Sequence, residues 1–257
     1  MSQTRVDGTR PSLSVSQNFL TSAGLIDRLL RPTGLGAGDL VLEIGPGKGH
    51  ITRALLARGC AVRATELDPV LFERLQNSLG GRKGLTLVRG DFLRQPLPRA
   101  PYQVFANIPF NRTTDILRKL TEAAHPPEQA WLVVEKGAAK RFLGQPRETL
   151  SSLRLKPYFT AEIAFTFRRE DFHPAPSVDA VLLHLRRKAE PDLPPADRAA
   201  FAAFVEQGHR YGLRRLLTKR QIATALRLEG LPSIEPSAEI RYVQWLCLFR
   251  CHQRFHA

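Results

Sequence analysis

Short apolar, β-branched segments recur along the first half of the chain, at Leu40–Ile44, Ala61–Glu66, Leu85–Arg89, Gln103–Ala106 and Ala130–Glu135. Each is separated from the next by a stretch of helical periodicity. Strands that alternate with helices predict a parallel, doubly wound α/β sheet, because a parallel neighbour is reached only through a crossover. Two further runs, Ala161–Phe167 and Val178–Leu185, are joined only by RREDFHPAPS. That link leaves no room for a crossover helix, so the pair is expected to form an antiparallel hairpin at the sheet edge, making seven strands in all. The following RRKAEPDLPPADR is charged and proline-rich and reads as a linker. Beyond about Ala196 only helical periodicity remains. Two domains are therefore expected, an α/β domain at 1–188 and a small helical domain at 189–257.

Composition narrows the setting. The chain is 43% hydrophobic, enough for a full core. Its apolar runs stay far below the ~20 residues of a membrane helix. The start, MSQTRVDGTRPSLSVSQNFL, lacks the apolar stretch and cleavage site of a secretory signal. A cytoplasmic protein without membrane contact is expected. Cys60, Cys247 and Cys251 form no CxxC pair and the seven histidines form no cluster, so neither a disulfide framework nor a metal site is expected. The chain is read as a monomer.

Charge adds a partner. The net charge of +14 favours a polyanion. Arginine dominates the basic residues, and its flat guanidinium both forks onto phosphate and stacks on bases, which suits RNA. Within the helical region, HRYGLRRLLTKRQIATALR would place Arg210, Arg214, Arg215, Lys219 and Arg220 near one helical face, beside Leu213, Leu216, Leu217 and Ile222. That face is the expected RNA surface.

The strand Val41-Leu42-Glu43-Ile44 runs into Gly45-Pro46-Gly47-Lys48-Gly49 and then a helical segment. Glycines at a strand-to-helix turn let a ligand approach the backbone. A P-loop would need Ser or Thr after Lys48, and a GxGxxG dinucleotide turn would need glycine in place of His50; both fail. A GxGxG turn preceded by Glu43 suits a cofactor without pyrophosphate, and S-adenosylmethionine fits. The second strand ends at Glu66, nineteen residues after Gly47, where a carboxylate can accept both ribose hydroxyls. The third closes on Arg89-Gly90-Asp91-Phe92, which gives Asp91 to the adenine amino group and places Phe92 beside it. Gly45, Gly47, Glu66, Asp91 and Phe92 are thus candidate cofactor residues.

The fourth strand ends in Asn107-Ile108-Pro109-Phe110. The lone pair of an exocyclic adenine amine is delocalised into the ring, so geometry must make it nucleophilic. The Asn107 side-chain oxygen and the Ile108 carbonyl can each accept one N6 hydrogen, aiming the lone pair at a sulfonium methyl. Pro109 stiffens the loop without adding a donor, and Phe110 can stack on an extruded base. Phe172, in the hairpin link, is a candidate for the other side of a base sandwich; a core anchor is the competing reading.

These motifs together resemble the erythromycin-resistance methyltransferases, relatives of the dimethyladenosine transferases that act on small-subunit ribosomal RNA. The resemblance covers nearly the whole chain: SQNFL at 16–20, EIGPGKGHIT at 43–52, ELD at 66–68, GDFL at 90–93 and NIPFNRTTDIL at 107–117. Lys48, His50 and the NIPF form, in place of the NLPY usual in the small-subunit branch, favour the resistance branch. Thr113-Thr114 departs mildly from the usual Ser-Thr. The resemblance implies a class I, Rossmann-like methyltransferase in which Asn18 and Leu20 cover the cofactor, Gly45 lies under its methionine end, Glu66 and Asp91 hold ribose and adenine, and Asn107 bridges to the target. The implied substrate is an adenine in the peptidyl-transferase region of 23S rRNA, naked or in an assembly precursor, whose methylation blocks macrolide, lincosamide and streptogramin B binding. A 16S rRNA dimethyltransferase and a noncatalytic RNA-binding or transcription factor of the same fold are the alternatives.

Overall fold

The computed structural model describes residues 18–235 and 238–256; Ser16 and Gln17 of the SQNFL motif lie outside them. Five parallel strands form where the pattern places them: β2 (Leu40–Ile44), β3 (Ala61–Glu66), β4 (Leu85–Arg89), β5 (Gln103–Asn107) and β6 (Gln129–Glu135). They are interleaved with α2 (His50–Ala57), α3 (Pro69–Leu79) and α4 (Thr113–Thr121), and α1 (Ala23–Leu30) precedes them. Every residue of β2 after Leu40 is buried, as expected for a central strand covered on both faces. Registers such as Ile44↔Thr65, Glu66↔Arg89 and Asn107↔Val133 bring the strand ends to one edge, where the loops that follow them gather.

The last two strands, β7 (Phe159–Thr166) and β9 (Ala180–Arg187), lie side by side, giving the order β4-β3-β2-β5-β6-β9-β7. Their ladder is antiparallel, since the Phe167 N–H donates to the Ala180 carbonyl and the Lys188 N–H to the Tyr158 carbonyl. β7 ends one residue and β9 begins two residues further from the link than the hydrophobic pattern suggests, because the link has structure of its own. It holds a 3-10 turn at Arg169–Asp171 and then β8 (Phe172–His173), which pairs antiparallel with β1 (Phe19–Leu20) as a separate two-stranded ladder.

The chain forms two compact units, residues 1–135 with 164–182, and residues 136–163 with 183–257. The second contains α5 (Lys136–Leu143), α6 (Leu150–Leu155), α7 (Arg198–Tyr211), α8 (Lys219–Leu228) and α9 (Tyr242–His256). Its core is aromatic: Phe204 meets Trp245 and Phe249, and Phe201 meets Phe249 edge-on at 5.1 Å. Gly208 is needed there, because a Cβ would fall 2.7 Å from the Trp245 ring. Among the described residues no helix is long and apolar enough to cross a membrane.

The continuous basic helix expected around residues 209–227 does not form. Gly212, at φ 83° and ψ 150°, ends α7; a 3-10 turn follows at Leu213–Arg215, and Thr218 caps a fresh helix through its side chain and Gln221. Helical periodicity persists across the break because Leu213, Leu217 and Leu226 are buried on either side of it. Arg210 therefore ends one helix, Arg214 and Arg215 sit in a turn, and Lys219 and Arg220 start another.

Candidate active site

The turn after β2 is built by three glycines with positive φ, Gly45 at 64°, Gly47 at 56° and Gly49 at 75°. At Gly47 a Cβ would run into the Phe19 ring, and at Gly49 it would fall 2.7 Å from Leu75. At Gly45 it would meet nothing within 4 Å, so the space above that residue is open to a ligand. Glu66, at the end of β3 and almost fully buried, fixes the turn from the side. Its Oε2 accepts from the Gly47 N–H and its Oε1 from the Asp68 N–H, both at 2.9 Å. Burial raises the Glu66 pKa, opposed by these backbone donors.

Asp91 follows β4 and accepts the Leu93 N–H at 2.9 Å, capping the 3-10 turn Phe92–Arg94. The Arg112 guanidinium lies 3.9 Å from Asp91 and 3.5 Å from Asp115. A cleft runs past Gly45, Glu66, Leu67, Asp91, Phe92 and Pro109. A smaller one next to it is formed by Asn18, Phe19, Gly45, Asn107, Ile108, Pro109 and Phe110. Gly45 and Pro109 belong to both, so the two clefts adjoin. Asn107 ends β5, one residue later than the pattern suggests, and its Nδ2 donates to the Asn18 carbonyl at 2.6 Å. Among the described residues no partner is recorded for the Asn107 side-chain oxygen.

Most sequence candidates of the first unit thus come together: Asn18, Gly45, Gly47, Glu66, Asp91, Phe92, Asn107, Ile108, Pro109 and Phe110. Leu20 is buried beneath them in the core. Phe172 must be corrected. It is only 4% exposed, packs on the Phe167 ring at 5.2 Å and is paired opposite Leu20, so it offers no face to a base. Sequence reasoning missed three contributors. Phe19 seals Gly47 and carries the Lys48 ammonium 5.1 Å above its ring. The half-exposed Leu67 lines the cofactor cleft. Lys119 donates to the Leu93 and Gln95 carbonyls at 2.9 and 2.6 Å, pinning the segment that carries Phe92. The hydrophobic residue inside ELD was the one available sign among these.

Glu43 lies behind the glycine turn rather than in the cleft. It is 1% exposed, its Oε2 accepts from the Thr52 hydroxyl at 2.6 Å, and its Oε1 has no partner among the described residues. Burial pushes its pKa up to about 8, against the opposing Thr52 bond. A carboxyl whose folded pKa is raised stabilises the fold below its unfolded value near 4.5; that contribution is lost as pH rises through about 8. Glu43→Gln stays neutral throughout. Its melting temperature relative to the parent protein is therefore expected to rise steadily between pH 5 and pH 8, following a limiting slope of about 1.4 kcal/mol per pH unit. Thermal unfolding across that range measures it, and a constant difference would rule out a buried neutral carboxyl.

Residues 9–249 match the family model described as ribosomal RNA adenine dimethylase. The chain belongs to this family. It is 32% identical over 248 residues to an rRNA adenine N-6-methyltransferase of Limosilactobacillus reuteri, covering 96% of this chain and 99% of that one. It is also 32% identical to a ribosomal RNA small subunit methyltransferase A of Geobacter sulfurreducens, over 79% of this chain and 77% of that one. Among solved structures, the 23S rRNA methyltransferase ErmE is similar with a TM-score of 0.79 and 31% identity, covering 92% of this chain and 100% of that one. A dimethyladenosine transferase from Plasmodium falciparum shares the fold at a TM-score of 0.63 and 19% identity.

The protein is thus an rRNA adenine N6-methyltransferase whose methyl donor is S-adenosylmethionine. The site fits that donor. The open space above Gly45 lies beside two carboxylates, Glu66 and Asp91, suited to hydroxyl and amino donors, and beside the apolar surfaces of Leu67 and Phe92.

Proposed function

We propose that this methyltransferase modifies an adenine in the peptidyl-transferase region of 23S rRNA, in the cytoplasm, and so confers resistance to macrolide, lincosamide and streptogramin B antibiotics. The observation that carries this reading is the likeness to ErmE along its full length, at 31% identity. Lys48 and His50 in the glycine turn and Phe110 in the NIPF loop support the same branch.

Bound in the cleft, S-adenosylmethionine supplies an electrophilic methyl group. Glu66 accepts the ribose hydroxyls on the lone pairs its backbone donors leave free, Asp91 accepts from the adenine amino group, and Leu67 and Phe92 cover the ring. Gly45 and the Asn18 segment flank the methionine end. In the adjoining cleft the Asn107 oxygen and the Ile108 carbonyl each hold one N6 hydrogen of the target, so that its lone pair points towards the donor's cleft. Pro109 fixes the loop, and Phe110 stacks on the extruded base without a partner ring from Phe172. On this reading residues 1–188 carry the chemistry and residues 189–257 contact RNA through Arg210, Arg214, Arg215, Lys219 and Arg220, with one protomer sufficient.

Transfer of labelled methyl groups to purified 23S and 16S rRNA tests the target. Labelling of 23S RNA at a single adenine is the expected result. Exclusive labelling of 16S RNA would instead place the enzyme with the small-subunit methyltransferases, and labelling of neither would point to a noncatalytic RNA binder.

A further inference from the structure

The second unit holds a cavity of about 380 Å³ between α8 and α9, within the size range of small-ligand pockets. Its apolar surface includes Ala225, Leu228 and Phe255, and its rim carries Arg220, Arg250 and Arg254. Leu228 and Phe255, at 73% and 60%, are among the most exposed large apolar side chains of the described residues. An exposed phenylalanine beside three cations is poorly explained by folding. Arg250 is held in place by donating to the Asp192 carbonyl at 2.9 Å, while Arg220 and Arg254 form no ion pair among the described residues. Glu229 is the one carboxylate in the lining, so the cavity is strongly electropositive. Cys247 and Cys251, one helical turn apart, also line it, and burial raises both thiol pKa values, so they act there as apolar surface.

We infer that this cavity takes an unpaired nucleotide of the RNA substrate, with its base against Phe255 and Leu228 and its phosphate on Arg220 and Arg254. Aromatic faces next to arginines are the usual platform for single-stranded RNA, because every base has a face to stack and every linkage a phosphate to neutralise. The site is separate from the target adenine's cleft beside Asn107, so it would engage a second, unmodified nucleotide and serve to register the RNA. The inference rests on rRNA being the substrate.

The full-length protein should be titrated with a short single-stranded RNA carrying 2-aminopurine and with an RNA duplex. Phe255→Ala is expected to weaken single-strand binding by about 5- to 100-fold and to abolish 2-aminopurine quenching, with duplex binding unchanged. Phe255→Trp should restore both, and Arg254→Gln should weaken both RNAs. Because Phe255 is exposed, its truncation leaves the core intact, which circular dichroism checks. Single-strand binding by Phe255→Ala equal to that of the parent, or an equal loss for both RNAs, would overturn the inference. Methyl transfer by the parent protein, measured on the same preparation, separates the two levels. Failure to label any rRNA defeats the substrate reading, whereas normal labelling with unchanged single-strand binding by Phe255→Ala defeats the pocket alone.

Discussion

Asn107→Ala is expected to slow methyl transfer by about two to three orders of magnitude while leaving affinity for S-adenosylhomocysteine nearly unchanged. The side chain has two ends with separate duties. Its Nδ2 donates to the Asn18 carbonyl at 2.6 Å and so cannot rotate freely, which leaves Oδ1 to meet the incoming amine. Alanine removes both functions. Asn107→Asp keeps an acceptor but turns a second oxygen towards the Asn18 carbonyl, replacing a hydrogen bond with a repulsion, so it should be impaired almost as severely. Single-turnover transfer with saturating RNA, together with calorimetric titration of S-adenosylhomocysteine, distinguishes these effects. An Asp variant as fast as the parent would show that the bond to Asn18 does not orient the site, and an active Ala variant would remove Asn107 from the chemistry.

Glu66→Ala should produce the largest loss of cofactor affinity, by about two to four orders of magnitude, accompanied by a fall in stability. Two hydrogen bonds from ribose hydroxyls to a charged group are worth about 1.5–3 kcal/mol each. The same carboxylate also ties the glycine turn to the end of β3 through the Gly47 and Asp68 N–H groups. Removing it leaves these donors without their acceptor, at about 1–3 kcal/mol each where water cannot reach them. For a chain of this size each kcal/mol corresponds to about 2–4 °C in melting temperature. Thermal melts with and without S-adenosylhomocysteine should show both a lower melting point and the loss of the ligand-induced shift. A variant that kept the full shift would exclude Glu66 from the cofactor site.

The parallel strands were legible because a buried strand has no choice of composition: Val41-Leu42-Glu43-Ile44 and Trp131–Val134 announce themselves by continuous apolar character. The glycine turn was legible because positive φ at Gly45, Gly47 and Gly49 demands that residue type. The misreadings share another cause. Phe172 and the residues beside it form a ladder only two residues long with Phe19–Leu20, and so short a strand leaves no period to detect. An aromatic residue in a loop then looks available for stacking when its ring is in fact core. Around residues 209–227 the spacing of leucines continued through Gly212, and the local signs of a break were that glycine and the Thr218-x-x-Gln221 capping box that starts the next helix. Lys119 was invisible because its partners are backbone carbonyls, which every sequence possesses.

The division of the chain into two compact units has a consequence for how the protein can be dismantled. Residues 136–163, which precede the final hairpin, belong with the C-terminal helices. Arg154 pairs with Glu206 at 2.8 Å, the Arg198 guanidinium sits 3.7 Å over the Tyr158 ring, and Asp192 accepts from both Lys188 and Tyr242. Cutting after residue 188 would strip α6 of the helix it packs against and separate Arg154 from Glu206, Tyr158 from Arg198 and Lys188 from Asp192. The basic helices are therefore not a tail that a cut after residue 188 would release intact, because the compact unit they belong to begins at residue 136.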